Sequence, residues 1–120
     1  MNSLVLAYLG DALYELYVRN YLIEQKIEKV DTLQKEAIKY VSAKSQSDYL
    51  KLLLDSKFLS QEEENVVLRG RNHKGSKHPK NTDIITYKWA TGLESLIGYL
   101  YVKKDMKRID EIMNFILKGE

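Results

Sequence analysis

From Leu4 to Ile23, fifteen of twenty residues are apolar, and the exceptions are Gly10, Asp11, Glu15, Arg19 and Asn20. A proline-free run of this length reads as one helix. At about 100° per residue, Asp11, Glu15 and Arg19 fall in one stripe roughly 80° wide. So narrow a polar stripe leaves most of the helix surface in need of cover. The rest of the chain must wrap around it, and a second subunit is expected to pack on part of it. Tyr14, Tyr17 and Tyr21, at helical spacing, suit either that contact or the core of the domain itself. Asp11 and Glu15 interrupt the apolar run, so it reads as neither a signal peptide nor a membrane span.

Strand alternation is absent elsewhere, and the remaining segments read as helices. A second helix is predicted from Asp31 or Thr32, where "DTLQ" supplies a capping residue and a glutamine three places on. A third should begin after "VSAKSQ" and run through "DYLKLLLDSKF". Ser60 with Glu63 forms a capping box for a fourth, ending near Arg71. Asn81 or Thr82 is expected to cap a long fifth helix, and a sixth spans Met106 to Lys118 with Gly119 as its stop. With 120 residues, one proline and 44% apolar content, the chain is expected to be one all-α domain, a helical bundle over residues 1–120. It contains no cysteine, which removes disulfides and thiolate metal sites and favours a cytoplasmic location.

Charge is unevenly spread. Between Arg69 and Lys80, "RGRNHKGSKHPK" holds five of the 19 lysines and arginines (Arg69, Arg71, Lys74, Lys77 and Lys80) and none of the 17 acids. Its glycines, serine and proline predict an exposed loop. Such a loop is either a solvated charge run or a phosphate-binding segment that follows a nucleic-acid strand and releases its counterions. His73 and His78 lie five apart without cysteine or a neighbouring acid, so they read as loop residues or phosphate contacts and not as zinc ligands.

Asp11 has two readings. An exposed stripe with Glu15 and Arg19 paired four residues apart accounts for it. The fifth helix offers another, because in "TGLESLIGYLY" Glu94 also stands alone in an apolar run, with Thr91 and Gly98 on its own face. Gly10 and Gly98 remove side chains where two helices can approach, at about 1 kcal/mol each in helix propensity. If they cross there, Asp11 and Glu94 meet. Buried carboxylates at close range repel unless a cation lies between them, and Mg²⁺ commonly takes one or two protein carboxylates plus waters.

At these residues a resemblance becomes specific. "YLGDALYE" and "LESLIGYLY" resemble the two signature helices of the ribonuclease III endonuclease domain. The chain is most similar to the shortened Mini-ribonuclease III family, through "VSAKSQ", "RGRN" and "PKNTD…TYKWAT" as well. The resemblance covers nearly the whole chain, in order. It implies a dimerising all-α endonuclease domain in which Asp11 and Glu94 are catalytic and bind Mg²⁺, with Mn²⁺ able to substitute. Leu4 and Ala7 stand where full-length ribonuclease III has glutamates, and Thr91 stands where it has an aspartate. Glu15 and Thr91 are therefore candidates to support the metal from behind, Glu15 also as a substitute ligand. No double-stranded-RNA-binding domain is expected, because the chain ends at Glu120.

The resemblance implies metal-assisted hydrolysis of double-stranded RNA without a serine, cysteine or histidine nucleophile, by a homodimer that cuts both strands, in maturation of the 23S ribosomal RNA precursor. Arg69, Arg71, Lys74, Lys77 and Lys80 are the expected RNA-binding residues, with Lys44 of "SAKSQ" a further candidate. A non-catalytic RNA-binding or scaffolding module on the same fold is the alternative, given the missing carboxylates.

Overall fold

The first helix, α1 (Ser3–Glu24), is capped by the Asn2 side chain, which accepts from the Val5 N–H. The computed structural model describes residues 1–74 and 83–119. Among them follow α2 (Val30–Val41), α3 (Ala43–Asp55), α4 (Gln61–Arg71), α5 (Ile84–Val102) and α6 (Met106–Lys118), with no strand. The chain is an all-α bundle, as its sequence predicts.

Helix boundaries follow local capping chemistry. At α4 the predicted capping box is complete: Ser60 accepts from the Glu63 N–H, and the Glu63 carboxylate accepts from the Ser60 N–H. At α6, Gly119 takes the left-handed conformation, φ +73°, that stops a helix at little cost. Three starts differ from expectation. Helix α2 begins one residue early, at Val30 after Lys29, and Asp31 sits in its first turn, where a negative charge suits the helix dipole. Helix α3 begins at Ala43, not after Gln46, because Ser42 accepts from the Ser45 N–H. Helix α5 is capped by Asp83, which accepts from the Ile85 N–H. The alternatives Asn81 and Thr82 lie outside the described residues.

Helix α5 is the hub, packed along α1 and also against α4 and α3. Leu93, Leu96, Ile97 and Leu100 of α5 are buried with Tyr14, Val18 and Leu22 of α1, Leu50 and Leu53 of α3, and Val66 and Val67 of α4. The tyrosine row belongs to this core: Tyr14 is fully buried and donates to the Tyr40 carbonyl, while Tyr17 and Tyr21 pack against the cluster's edge. Arg108 of α6 ties the far end together. It donates to both Glu63 oxygens at 2.8 Å and to the Phe58 carbonyl at 2.6 Å.

Two glycines set the α1–α5 crossing. A Cβ on Gly10 would overlap the Glu94 carbonyl oxygen and lie 2.9 Å from the Gly98 nitrogen. A Cβ on Gly98 would overlap the Leu6 carbonyl oxygen. The two backbones therefore touch directly, and the residue after Gly10 is brought alongside α5.

Candidate active site

That residue is Asp11. Its position at the edge of the buried face of α1 leaves it exposed toward solvent while its carboxyl lies near enough to Glu94 of α5 to disfavour that group's ionisation. Burial pushes the Glu94 carboxyl up to about 9, and the contact with Asp11 and its negative charge push in the same direction. A side-chain amide, from Gln46 of α3, works against them. Gln46 is only 2% exposed, and its Nε2 makes no regular hydrogen bond. The phenol of Tyr14 also lies close enough to feel the Glu94 charge, and its hydroxyl is committed to the Tyr40 carbonyl at 2.7 Å.

The other candidates fall around this pair differently. Thr91, buried one turn before Glu94, donates its hydroxyl to the Tyr87 carbonyl of its own helix at 3.0 Å. Glu15, one turn beyond Asp11, is paired with Arg19 at 2.9 Å, as the i, i+4 spacing allows. Gly70 sits against Ser95 and Gly92, so the last turn of α4 runs beside the α5 turn that carries Glu94. Arg69 and Arg71 flank that glycine. Arg69 and Lys74 are exposed, whereas the Arg71 guanidinium lies 4.6 Å from the centre of the Trp89 ring and its Nε donates to Asn72. Lys44 is paired with Asp48 at 3.0 Å on the surface. Lys77, Lys80 and His78 lie outside the described residues. His73 is half-buried, with Nδ1 enclosed and unbonded.

The donor set suits a hard divalent ion better than zinc. Among the described residues no three His, Cys, Asp or Glu side chains cluster as metal ligands. Asp11 and Glu94 still form a carboxyl pair, and Mg²⁺ completes its octahedron with water and substrate oxygens. A Glu94 carboxyl that retains its proton only because a like charge and burial disfavour ionisation is a group a cation would ionise.

Gln46 is the residue that sequence reasoning missed. It falls on one stripe with Leu50 and Leu53, at i, i+4 and i+7, and all three are buried. A polar side chain on an otherwise apolar stripe was the available signal.

A pH prediction follows from Glu94. Its folded value of about 9 exceeds the ordinary 4.5, so between these limits the folded metal-free protein binds more protons than the unfolded chain. Stability contributed by protonated Glu94 is complete at low pH and is lost as pH rises through about 9. In chelator, unfolding free energy is expected to fall by up to about 3 kcal/mol between about pH 6 and pH 8. Glu94→Gln should remove that component of the slope, as urea titrations at the two pH values would reveal. An unchanged slope would place the proton elsewhere.

Comparison with known proteins finds relatives along nearly the whole chain. The family model for the ribonuclease III domain matches residues 4–105. The chain is 43% identical over 118 residues to Mini-ribonuclease 3 of Enterococcus faecalis, covering 98% of this chain and 89% of that one. It is 48% identical over 122 residues to Mini-ribonuclease 3 of Brevibacillus brevis, covering 99% and 90%. A crystal structure of a Fusobacterium nucleatum protein superposes with a TM-score of 0.87 at 35% identity, covering 99% of this chain and 93% of that one.

Proposed function

Because the chain belongs to the Mini-ribonuclease III family of ribonuclease III-type endoribonucleases, we propose that it is a Mg²⁺-dependent nuclease that cuts double-stranded RNA, acting as a homodimer on the 23S ribosomal RNA precursor. The observation that carries the metal reading is Glu94, buried against the Asp11 carboxyl in an arrangement that repels itself once both groups ionise. Asp11 and Glu94 would hold the ion, which when bound supplies a Lewis acid for the phosphoryl group and acidifies water. Mn²⁺ would serve in the same place.

The chain's own residues divide the remaining work. Helices α1 and α5 hold the two carboxyls at a fixed crossing, and Glu94 would give up its proton on becoming a ligand. Asp11, on the exposed side, faces the approach of a phosphodiester. Arg69 and Lys74 offer charge to neighbouring phosphates, with Arg71 steadied by Trp89. Lys77 and Lys80 continue the basic sequence, and Lys44 is a weaker candidate because Asp48 engages it. A-form RNA presents phosphates and 2′-hydroxyls across a shallow minor groove, so recognition is chiefly of shape.

The homodimer has support in α1. Val5, Tyr8 and Leu16 share its outer face at 48%, 85% and 62% exposure, with Tyr8 the nearest of them to Asp11 around the helix. A second copy covering that face would bring two sites toward one duplex. The 23S precursor is the expectation attached to the family resemblance. No helix among the described residues is long and apolar enough to cross a membrane.

The decisive experiment incubates purified protein with a 23S precursor duplex and with a generic duplex, in Mg²⁺, in Mn²⁺ and in chelator. Cutting of both strands is expected with either ion and none in chelator. Binding without cutting under all three conditions would instead make the chain a non-catalytic RNA-binding module. Replacing Arg69, Arg71 and Lys74 together by glutamine should weaken every duplex alike. The logarithmic dependence of binding on salt should then flatten by up to about 1 per lost phosphate contact. An unchanged salt slope would assign these cations to solvent.

A further inference from the structure

Resting on the assignment of Asp11 and Glu94 as the ion's ligands, we propose that Gln46 is the positioning residue for Glu94, donating from its side-chain amide to the Glu94 carboxylate and fixing the rotation that keeps an oxygen turned toward Asp11. Three observations combine. Gln46 is 2% exposed, so its amide cannot be satisfied by bulk water. Its Nε2 is enclosed and makes no regular hydrogen bond, a costly state for a buried donor. Helix α3 packs against α5, and the Gln46 amide lies near enough to the Glu94 carboxyl to favour its charged form.

The backbone of Gln46 leaves little freedom to its side chain. Its N–H donates to the Ser42 carbonyl at 2.9 Å, in the first turn of a helix capped by the Ser42 hydroxyl. Leu50 and Leu53 below it are fully buried and anchor the same face of α3 to the core. A glutamate side chain rotates about three bonds, and Asp11 restrains only one side of the carboxyl. A fixed amide donor from a third helix supplies the second restraint. The acid pair then has one orientation before any ion arrives, as partners that orient metal ligands do elsewhere. Neither nitrogen nor oxygen of Gln46 need touch RNA or the ion for this role.

Two measurements test the proposal without relying on turnover alone. The first is a thermal-unfolding titration with Mg²⁺ alone. Gln46→Met, close in length and without a donor, is expected to raise the Mg²⁺ concentration at half-effect by about 10- to 100-fold. In cleavage assays at saturating Mg²⁺ the same variant should keep its KM for duplex RNA within about twofold, with the loss confined to kcat and to Mg²⁺ dependence. Gln46→His, which retains an N–H donor, should recover part of the loss. A Mg²⁺ midpoint equal to wild type, whatever the change in melting temperature, would reduce Gln46 to a packing role and overturn the proposal. A raised KM for RNA at an unchanged Mg²⁺ midpoint would overturn it in favour of a substrate contact.

The second measurement uses the wild-type protein and is independent of how variants fold. The side-chain NH₂ resonances of Gln46 should exchange slowly with solvent and shift when Mg²⁺ alone is added. Unmoved resonances in a protein that Mg²⁺ stabilises would overturn the Gln46 assignment and leave the acid pair intact as the ion's ligands. A wild-type protein that Mg²⁺ neither stabilises nor activates would sink the site reading first, and this proposal with it.

Discussion

Replacing Asp11 by asparagine is expected to reduce duplex cleavage at least about a thousandfold, since an ion's stabilisation of developing charge amounts to several kcal/mol and each tenfold in rate is about 1.4 kcal/mol. The fold should survive. Asparagine has nearly the same size, the position is exposed, and the new amide can still contact Glu94. Removing the charge at position 11 relieves the repulsion felt by an ionised Glu94 but also takes away a carboxylate acceptor for a protonated one, so the stability of the metal-free variant should stay close to wild type at neutral pH. Duplex binding in chelator should be almost unaltered, because phosphate contact is assigned to other residues. Circular dichroism, urea unfolding and a gel-based cleavage assay on one preparation separate these effects. Cleavage within tenfold of wild type would remove Asp11 from the chemistry, whereas an unfolded variant would make it a structural residue.

The second large effect concerns stability and begins one residue earlier. Gly10→Ala adds a carbon where the Glu94 carbonyl oxygen already stands, with the Gly98 nitrogen 2.9 Å away. Both obstacles are backbone, so no rotamer change relieves the clash, and α1 and α5 must move apart. Overpacking usually costs about 1–3 kcal/mol, and an unyielding neighbour places this substitution at the upper end or beyond. The gain of about 1 kcal/mol in helix propensity does not offset it. Because the same crossing holds Asp11 beside Glu94, activity should fall even at temperatures where the variant remains folded. Urea unfolding and cleavage at low temperature check the two parts. A Gly10→Ala protein as stable as wild type would mean that the helices do not touch here.

Residues whose partners lie nearby in sequence announced their structure. Ser60 and Glu63 make both bonds of their capping box, and Gly119 stops α6. Where several capping residues competed, the choice depended on packing. The third helix is expected after "VSAKSQ", yet Ser42 starts α3 within that stretch, and Gln46, Leu50 and Leu53 together face the core. The acid pair was legible at long range for an unusual reason: each acid stands near a glycine in an apolar helix, and two such glycines imply a crossing. Gln46 carried a fainter mark, a polar side chain on the stripe with Leu50 and Leu53 that named no partner. Its relation to Glu94 exists only once a third helix has docked, and sequence periodicity describes one helix at a time. Glu15 and Arg19 show the opposite case, since their i, i+4 spacing directly yields the observed ion pair.

Direct contact between the main chains of α1 and α5 also bears on ion discrimination. Helices separated by long side chains can slide to suit a guest, but these two have no such cushion at Gly10 and Gly98. The spacing of the two helices is consequently set by the main chain itself. Under the proposed metal reading, calcium, with oxygen contacts about 0.3–0.5 Å longer than those of magnesium, would demand a spreading of the pair that this main-chain contact resists.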